Sequence, residues 1–98
     1  MKVFISGPMT GLPEFNYQAF HNEAKRLRDC GHTVINPAEL NATRSTREAH
    51  MRKDIAALCE CDAIQQLSGW QDSKGAALEL AIAKEIGCTI YSPHCPLN

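Results

Sequence analysis

At 98 residues, with a formal net charge of -1, 44% hydrophobic and 21% charged residues, the chain has the composition of one small globular domain, residues 1–98. It lacks the excess basicity by which proteins hold the phosphate backbone of DNA or RNA, so no nucleic-acid polymer is expected as partner. No apolar run approaches the roughly 20 residues of a membrane span, and no basic region with a long apolar segment opens the chain. A soluble, cytoplasmic protein without a membrane partner is expected.

Residues 2 to 5, KVFI, are a β-branched and aromatic run that predicts a first, central strand. The following SGPMTGLPEFN holds two glycines and two prolines and predicts a loop. Such a loop after the first strand of an α/β domain offers backbone N–H groups to an anion, though an ordinary connection reads the same way without a GxGxxG or GxxxxGK pattern. From Asn16 the spacing of Phe20, Ala24, Leu27 and Arg28 predicts a helix closed at Cys30-Gly31. Thr33 to Ile35 reads as the second strand, ended by Pro37, and residues 38 to 46 as a loop or short helical turn.

A second helix is expected from Ser45 or Thr46, with Thr46 as its cap and Met51, Ile55, Leu58 and Cys59 as its apolar stripe. Arg44, Arg47, Arg52 and Lys53 make this the most basic stretch, either a solvated face or a rim that draws in a small anion. Asp54 lies beside the stripe. It either pairs with Arg47 or Lys53 or points into a site.

Strand three covers about Asp62 to Leu67, and helix three Lys74 to Ile86, with Ser73 or Asp72 as cap and Ala77, Leu78, Ala81, Ile82 and Ile86 as its packing face. Gly87 stops it before a last strand, Thr89 to Tyr91. The order β-α-β-α-β-α-β predicts a three-layer α/β/α, flavodoxin- or Rossmann-like parallel sheet of about four to five strands, which holds ligands at the carboxyl ends of its strands. The five cysteines form an odd set without a disulfide framework. Cys59, Cys61, His94 and Cys95 have spacing unsuited to zinc, and the thiols read as small hydrophobes.

MKVFISGPMTG at the start, RKD at 52 to 54, CDA at 61 to 63 and SGWQDSKGAALE at 68 to 79 together resemble the nucleoside 2-deoxyribosyltransferases and their relatives, the deoxyribonucleoside 5'-monophosphate N-glycosidases. The likeness spans nearly the whole chain. It is nearest to a short bacterial and phage branch whose members begin MKVYISGPMTG and carry RRD, CDA and PGW-x-x-S-x-G-A-x-x-E. Ser73, Gly75 and Glu79 match the S-x-G-x-x-x-E of the monophosphate glycosidases, and the resemblance implies Glu79 as nucleophile. The transferases have aspartate where Ser73 stands; serine accepts a 5'-phosphate that a second carboxylate would repel, which implies nucleotides over nucleosides. Asp54, eight residues before Asp62, matches the other catalytic carboxylate and the aspartate that opens the third strand. Ser6, Gly7, Pro8 and Met9 correspond to the loop around sugar and phosphate.

The chemistry explains these residue types. Breaking an N-glycosidic bond builds positive charge at C1' and negative charge on the departing base. A carboxylate below C1' and a proton source beside the base, here Glu79 and Asp54, answer both, with water or a second base resolving the glycosyl ester. No metal or redox cofactor is implied. Gly75, Ala76 and Ala77 either open room for the sugar or let the helix pack closely on the sheet. Trp70 either stacks on a base or packs against its own domain. Phe4 stands where the family has a tyrosine whose hydroxyl orients the glutamate, and Ser68 where the branch has proline. A non-catalytic nucleotide-binding module is the alternative reading. The family also implies a homodimer or higher homo-oligomer with a small-molecule nucleotide or nucleoside as ligand.

Overall fold

The computed structural model describes residues 1–41 and 45–98. Arg44 lies outside the described residues. The first strand, β1, runs Lys2–Ser6, one residue longer than predicted, because Ser6 stays in register with Gln66. A 3-10 turn at Pro13–Asn16, where Glu14, Phe15 and Asn16 take left-handed backbone angles, replaces the expected irregular entry to helix α1, Tyr17–Asp29. Strand β2 is Thr33–Ile35. The Asn36 side chain then accepts from the Ala38 N–H at 3.0 Å and starts the four-residue helix α2, Pro37–Leu40, within the stretch read as loop or short turn.

Helix α3 is Arg47–Leu58, capped as predicted by Thr46, whose Oγ1 accepts from the Ala49 N–H at 3.1 Å. Strand β3 is Ala63–Gln66, helix α4 Lys74–Glu85 and strand β4 Thr89–Tyr91. The strands form a four-stranded, all-parallel sheet in the order β2-β1-β3-β4. This is the flavodoxin-like arrangement: β1 connects toward one edge and β2 back toward the other, leaving a crevice at the carboxyl ends of β1 and β3.

Right-handed crossovers put α1 on one face and α3 and α4 on the other, and the period-2 alternation of β1 shows it. Val3 and Ile5 pack with Phe20, Ala24 and Leu27 of α1 and with Leu67 and Leu97, whereas Phe4 packs with Leu58, Cys61, Ile64 and Ala83. Each fully buried large apolar side chain contributes about 1.5–3 kcal/mol of transfer free energy. The tail beyond β4 shields the α1 face: Gln65, in the sheet centre, accepts from the Leu97 N–H at 2.8 Å and donates to the Ser92 carbonyl at 3.3 Å. Among the described residues no helix is long and apolar enough to cross a membrane.

Two predicted faces differ in the fold. On α3, Leu58 is buried but Cys59 is exposed, since it caps the helix end and turns outward. On α4 the buried residues are Ala76, Glu79 and Ala83, while Leu78 and Ile86 are each 46% exposed and Ala77 and Ala81 face solvent. The helix is turned so that a carboxylate, not its most apolar stripe, meets the sheet.

The first and third strand ends meet through a glycine. A Cβ on Gly7 would lie 2.7 Å from the Leu67 Cβ, closer than carbon atoms approach without displacement. Gly7→Ala is therefore expected to lower the unfolding free energy by about 1–3 kcal/mol, the usual overpacking cost, in urea denaturation. An unchanged midpoint would show that the two loops separate freely.

Candidate active site: a buried carboxylate pair

Ser6 closes β1 and points, like Phe4 two residues earlier, toward the α4 side of the sheet. Its hydroxyl donates to Glu79 Oε1 at 2.6 Å, and both groups are buried. Glu79 reaches that spot because α4 starts cleanly. Ser73 is its N-cap, accepting from the Ala76 N–H at 3.2 Å, so that position 79 falls on the sheet-facing side in the second turn. Glu79 Oε2 has no hydrogen bond among the described residues.

The second carboxyl, Asp54, comes from the middle of α3 and is 7% exposed. Neither Arg47 nor Lys53 forms an ion pair with it among the described residues. Its partner is Asn41, the C-cap of α2, whose Nδ2 donates to Asp54 Oδ1 at 2.8 Å. Burial pushes Asp54 above the ordinary carboxyl range, opposed by the Asn41 hydrogen bond and by His50 and Lys53. Burial pushes Glu79 further, to about 8; the Ser6 hydrogen bond works against this and the nearby Asp54 charge adds to it. At neutral pH Glu79 therefore holds its proton, favoured first by burial and then by the nearby Asp54 charge.

The other expected site residues divide by geometry. Pro8 packs toward the β3–α4 loop, where a Cβ on Gly69 would lie 3.3 Å from the Pro8 Cγ, and its carbonyl accepts from Asn16 Nδ2 at 3.0 Å. Trp70 opens the short 3-10 turn Trp70–Asp72 beside this contact and is half-buried. Gly75 lies next to the cap; a Cβ there would meet only Met51 Sδ at 3.6 Å and Ser73 Oγ at 3.9 Å, so the chain's own packing does not require glycine. Ala76 is buried and does pack, whereas Ala77 is exposed.

Met9 turns to the α1-side core, away from the carboxyl pair. Asp62 is not brought to the pair either. It precedes β3 at the amino end of the sheet, exposed, with Oδ2 accepting from the Lys2 N–H at 3.0 Å, while Ser6 and Gln66 stand at the carboxyl end. The four-residue length of the strand keeps the two ends roughly 13 Å apart.

Two polar residues at this face were not singled out from the sequence. Asn41 is one. The other is Gln66, register partner of Ser6 and therefore on the Glu79 side, buried with its Nε2 lacking an acceptor among the described residues. The pair Gln65-Gln66 inside an otherwise apolar strand was the available signal, since buried amides persist only where something needs them. A groove of about 310 Å³ between Arg26 of α1, Ser68, Pro93 and Pro96 borders the tail and does not include either carboxyl. Among the described residues no three His, Cys, Asp or Glu side chains converge as a metal site. Cys61 is sealed, its thiol donating to the Ala57 carbonyl at 3.3 Å and pushed up to about 11 by burial.

The protein is thus a flavodoxin-like α/β domain with two buried carboxyls, Glu79 held at the end of the central strand by Ser6 and Asp54 on α3. It belongs to the family described as "Domain of unknown function (DUF4406)", which residues 1–92 match. Its fold is that of a 2-deoxyribosyltransferase from the psychrotolerant bacterium Bacillus psychrosaccharolyticus, with a TM-score of 0.73 at 22% identity over 95% of this chain and 73% of that one. A 2-desoxiribosyltransferase from Leishmania mexicana superposes with a TM-score of 0.74 at 20% identity, covering 93% of this chain and 62% of the other, less than two thirds of its length. No curated protein matches in sequence.

The Glu79 environment has a measurable signature in stability. Glu79 releases its proton at about 8 when folded against its ordinary value of 4.5, so the folded state holds the extra proton between these values. Stability then falls as pH rises through that window, by at most about 1.4 kcal/mol per pH unit. Glu79→Gln, neutral at every pH, should gain stability relative to the parent chain between about pH 5 and pH 8 in urea denaturation. Parallel curves for the two proteins would mean that Glu79 titrates normally.

Proposed function

We propose that this protein breaks or transfers the N-glycosidic bond of 2'-deoxyribonucleoside 5'-monophosphates. The observation that carries the reading is the Ser6–Glu79 hydrogen bond, which holds a buried carboxyl at the carboxyl end of the sheet, near enough to Asp54 to feel its charge. The two deoxyribosyltransferases that share the fold support the reaction class. The Glu79 carboxylate attacks C1' while the C1'–N bond breaks, and its electron pair passes to the base, which takes a proton from Asp54. Water releases the resulting ester in a hydrolase, and a second base does so in a transferase.

Ser73 supports the monophosphate. Its Oγ accepts from the helix backbone, which leaves its hydroxyl proton and the N-terminal potential of α4 for a phosphate. Ser6 and Gly7 shape the floor, Gly75 leaves room for the sugar, and Trp70 borders the mouth with Pro8. Asp62 and Met9 have no part in this arrangement. A homodimer completes the proposal: the apolar, exposed side of α4 with Ala77, Leu78, Ala81 and Ile86 is the surface offered to a second copy.

A second reading is a nucleotide-binding module without turnover. It is favoured by the resting proton on Glu79, which masks the nucleophile at neutral pH. The reaction requires that proton on Asp54, a minor form of the free pair that the positive charge developing at C1' favours.

Purified protein incubated with a panel of deoxynucleoside monophosphates should release free base, with a bell-shaped pH dependence, and Glu79→Gln should lower the rate by at least about 10³-fold. Binding without release, seen as ligand-dependent thermal shift, would select the second reading. Sedimentation at micromolar concentration should show a dimer, and Leu78→Glu on the α4 face should convert it to monomer; a monomeric parent chain would remove the dimer from the proposal.

A further inference from the structure

Asn41 lies directly after the four residues of α2, and only 5% of it is exposed. Its backbone is anchored there by its own N–H, which donates to the Pro37 carbonyl at 2.9 Å. Its side chain makes one hydrogen bond among the described residues, from Nδ2 to Asp54 Oδ1 at 2.8 Å. The amide oxygen is sealed from solvent and has no donor among the described residues. A buried carbonyl left unpaired is costly, and an apolar side chain of the same size would avoid that cost. The residue that stands here forgoes this stability and keeps a donor on a carboxyl.

We propose that Asn41 is the positioning residue of Asp54: by holding Oδ1 it fixes the carboxyl on the inner side of α3 and leaves Oδ2 as the oxygen that meets a ligand. Asp54 Oδ2 makes no hydrogen bond among the described residues and is not sealed. A donor on one oxygen favours the ionised carboxyl, so Asn41 also opposes protonation of Asp54 in the resting protein. The other groups that act on Asp54 are His50 and Lys53 of its own helix, both of which favour its charge, while Asp54 in turn favours the protonated form of Glu79 on α4. For catalysis the inference rests on the glycosidic reading above, but the contact itself is testable without turnover.

The test follows the Asp54 side-chain carboxyl carbon by NMR across pH in carbon-13-labelled protein, with the resonance assigned through Asp54→Asn. In Asn41→Leu the Asp54 midpoint should rise by about one to two pH units, the size expected for losing a hydrogen bond to a charged group. Asn41→Asp keeps the shape and exchanges the donor for a like charge; it should raise the midpoint as well, and it decides the matter if the leucine variant does not fold. An Asp54 midpoint unmoved in the folded variants would overturn the proposal. On a deoxynucleotide that the parent chain cleaves, Asn41→Leu should lower kcat at least tenfold with little change in KM and shift the pH optimum upward. Unchanged kcat and pH profile would equally overturn it. If the parent chain cleaves none, the glycosidic reading falls while the NMR result still decides whether Asn41 governs Asp54.

Discussion

The hydrogen bond between Ser6 and Glu79 ties together parts of the chain 73 residues apart, and the arrangement of the crevice depends on it. Ser6 is the last residue of the central strand, and its position is set by its register with Gln66 of β3. Glu79 belongs to a helix whose better apolar stripe is left facing outward. Turning a carboxyl inward and leucine and isoleucine outward costs burial free energy, and a positioned donor waiting at the end of β1 is what offsets part of that cost.

Phe4 is a phenyl ring packed with Leu58, Ile64 and Ala83 and offers no donor. The pleat brings residue 6 to the same face as residue 4, so the hydroxyl two positions along the strand is the one that reaches Glu79. The loops then lock around it: Gly7 admits Leu67, Gly69 lies against Pro8, and Ser73 starts α4 at the angle that carries Glu79 inward. Small residues serve two ends here. Gly7 is required by packing, whereas a Cβ on Gly75 would meet Met51 and Ser73 only at ordinary contact distance.

Much of the architecture was legible from the residues in order. KVFI, the Cys30-Gly31 stop, Thr33 to Ile35, the Thr46 cap and the Thr89 to Tyr91 strand carry local signals, namely β-branching, glycine after a helix and a hydroxyl before one, and these operate over a few residues regardless of context. The motif from Ser73 to Glu79 was legible for the same reason: a cap and a helical spacing place a carboxyl without any distant partner. What failed was facing. Of the expected inner face Ala77, Leu78, Ala81, Ile82 and Ile86, Ile82 alone packs against the core, whereas Ala76, Glu79 and Ala83 are the buried residues and the inward carboxyl accepts from the Ser6 hydroxyl.

By itself, then, the sequence determined the alternation of strands and helices, the parallel sheet, and the two carboxyls that stand out in it, because periodicity, capping and strand spacing are encoded locally. Tertiary structure alone decided which side chains meet. It placed Asp62 at the opposite end of β3 from Glu79 and Ser6, turned Met9 into the α1-side core, brought Asn41 to Asp54 and set Gln66 in register with Ser6. It also decided the charge state of the pair, since the proton affinity of Glu79 comes from desolvation and from Asp54, and neither exists until the helices close over the sheet.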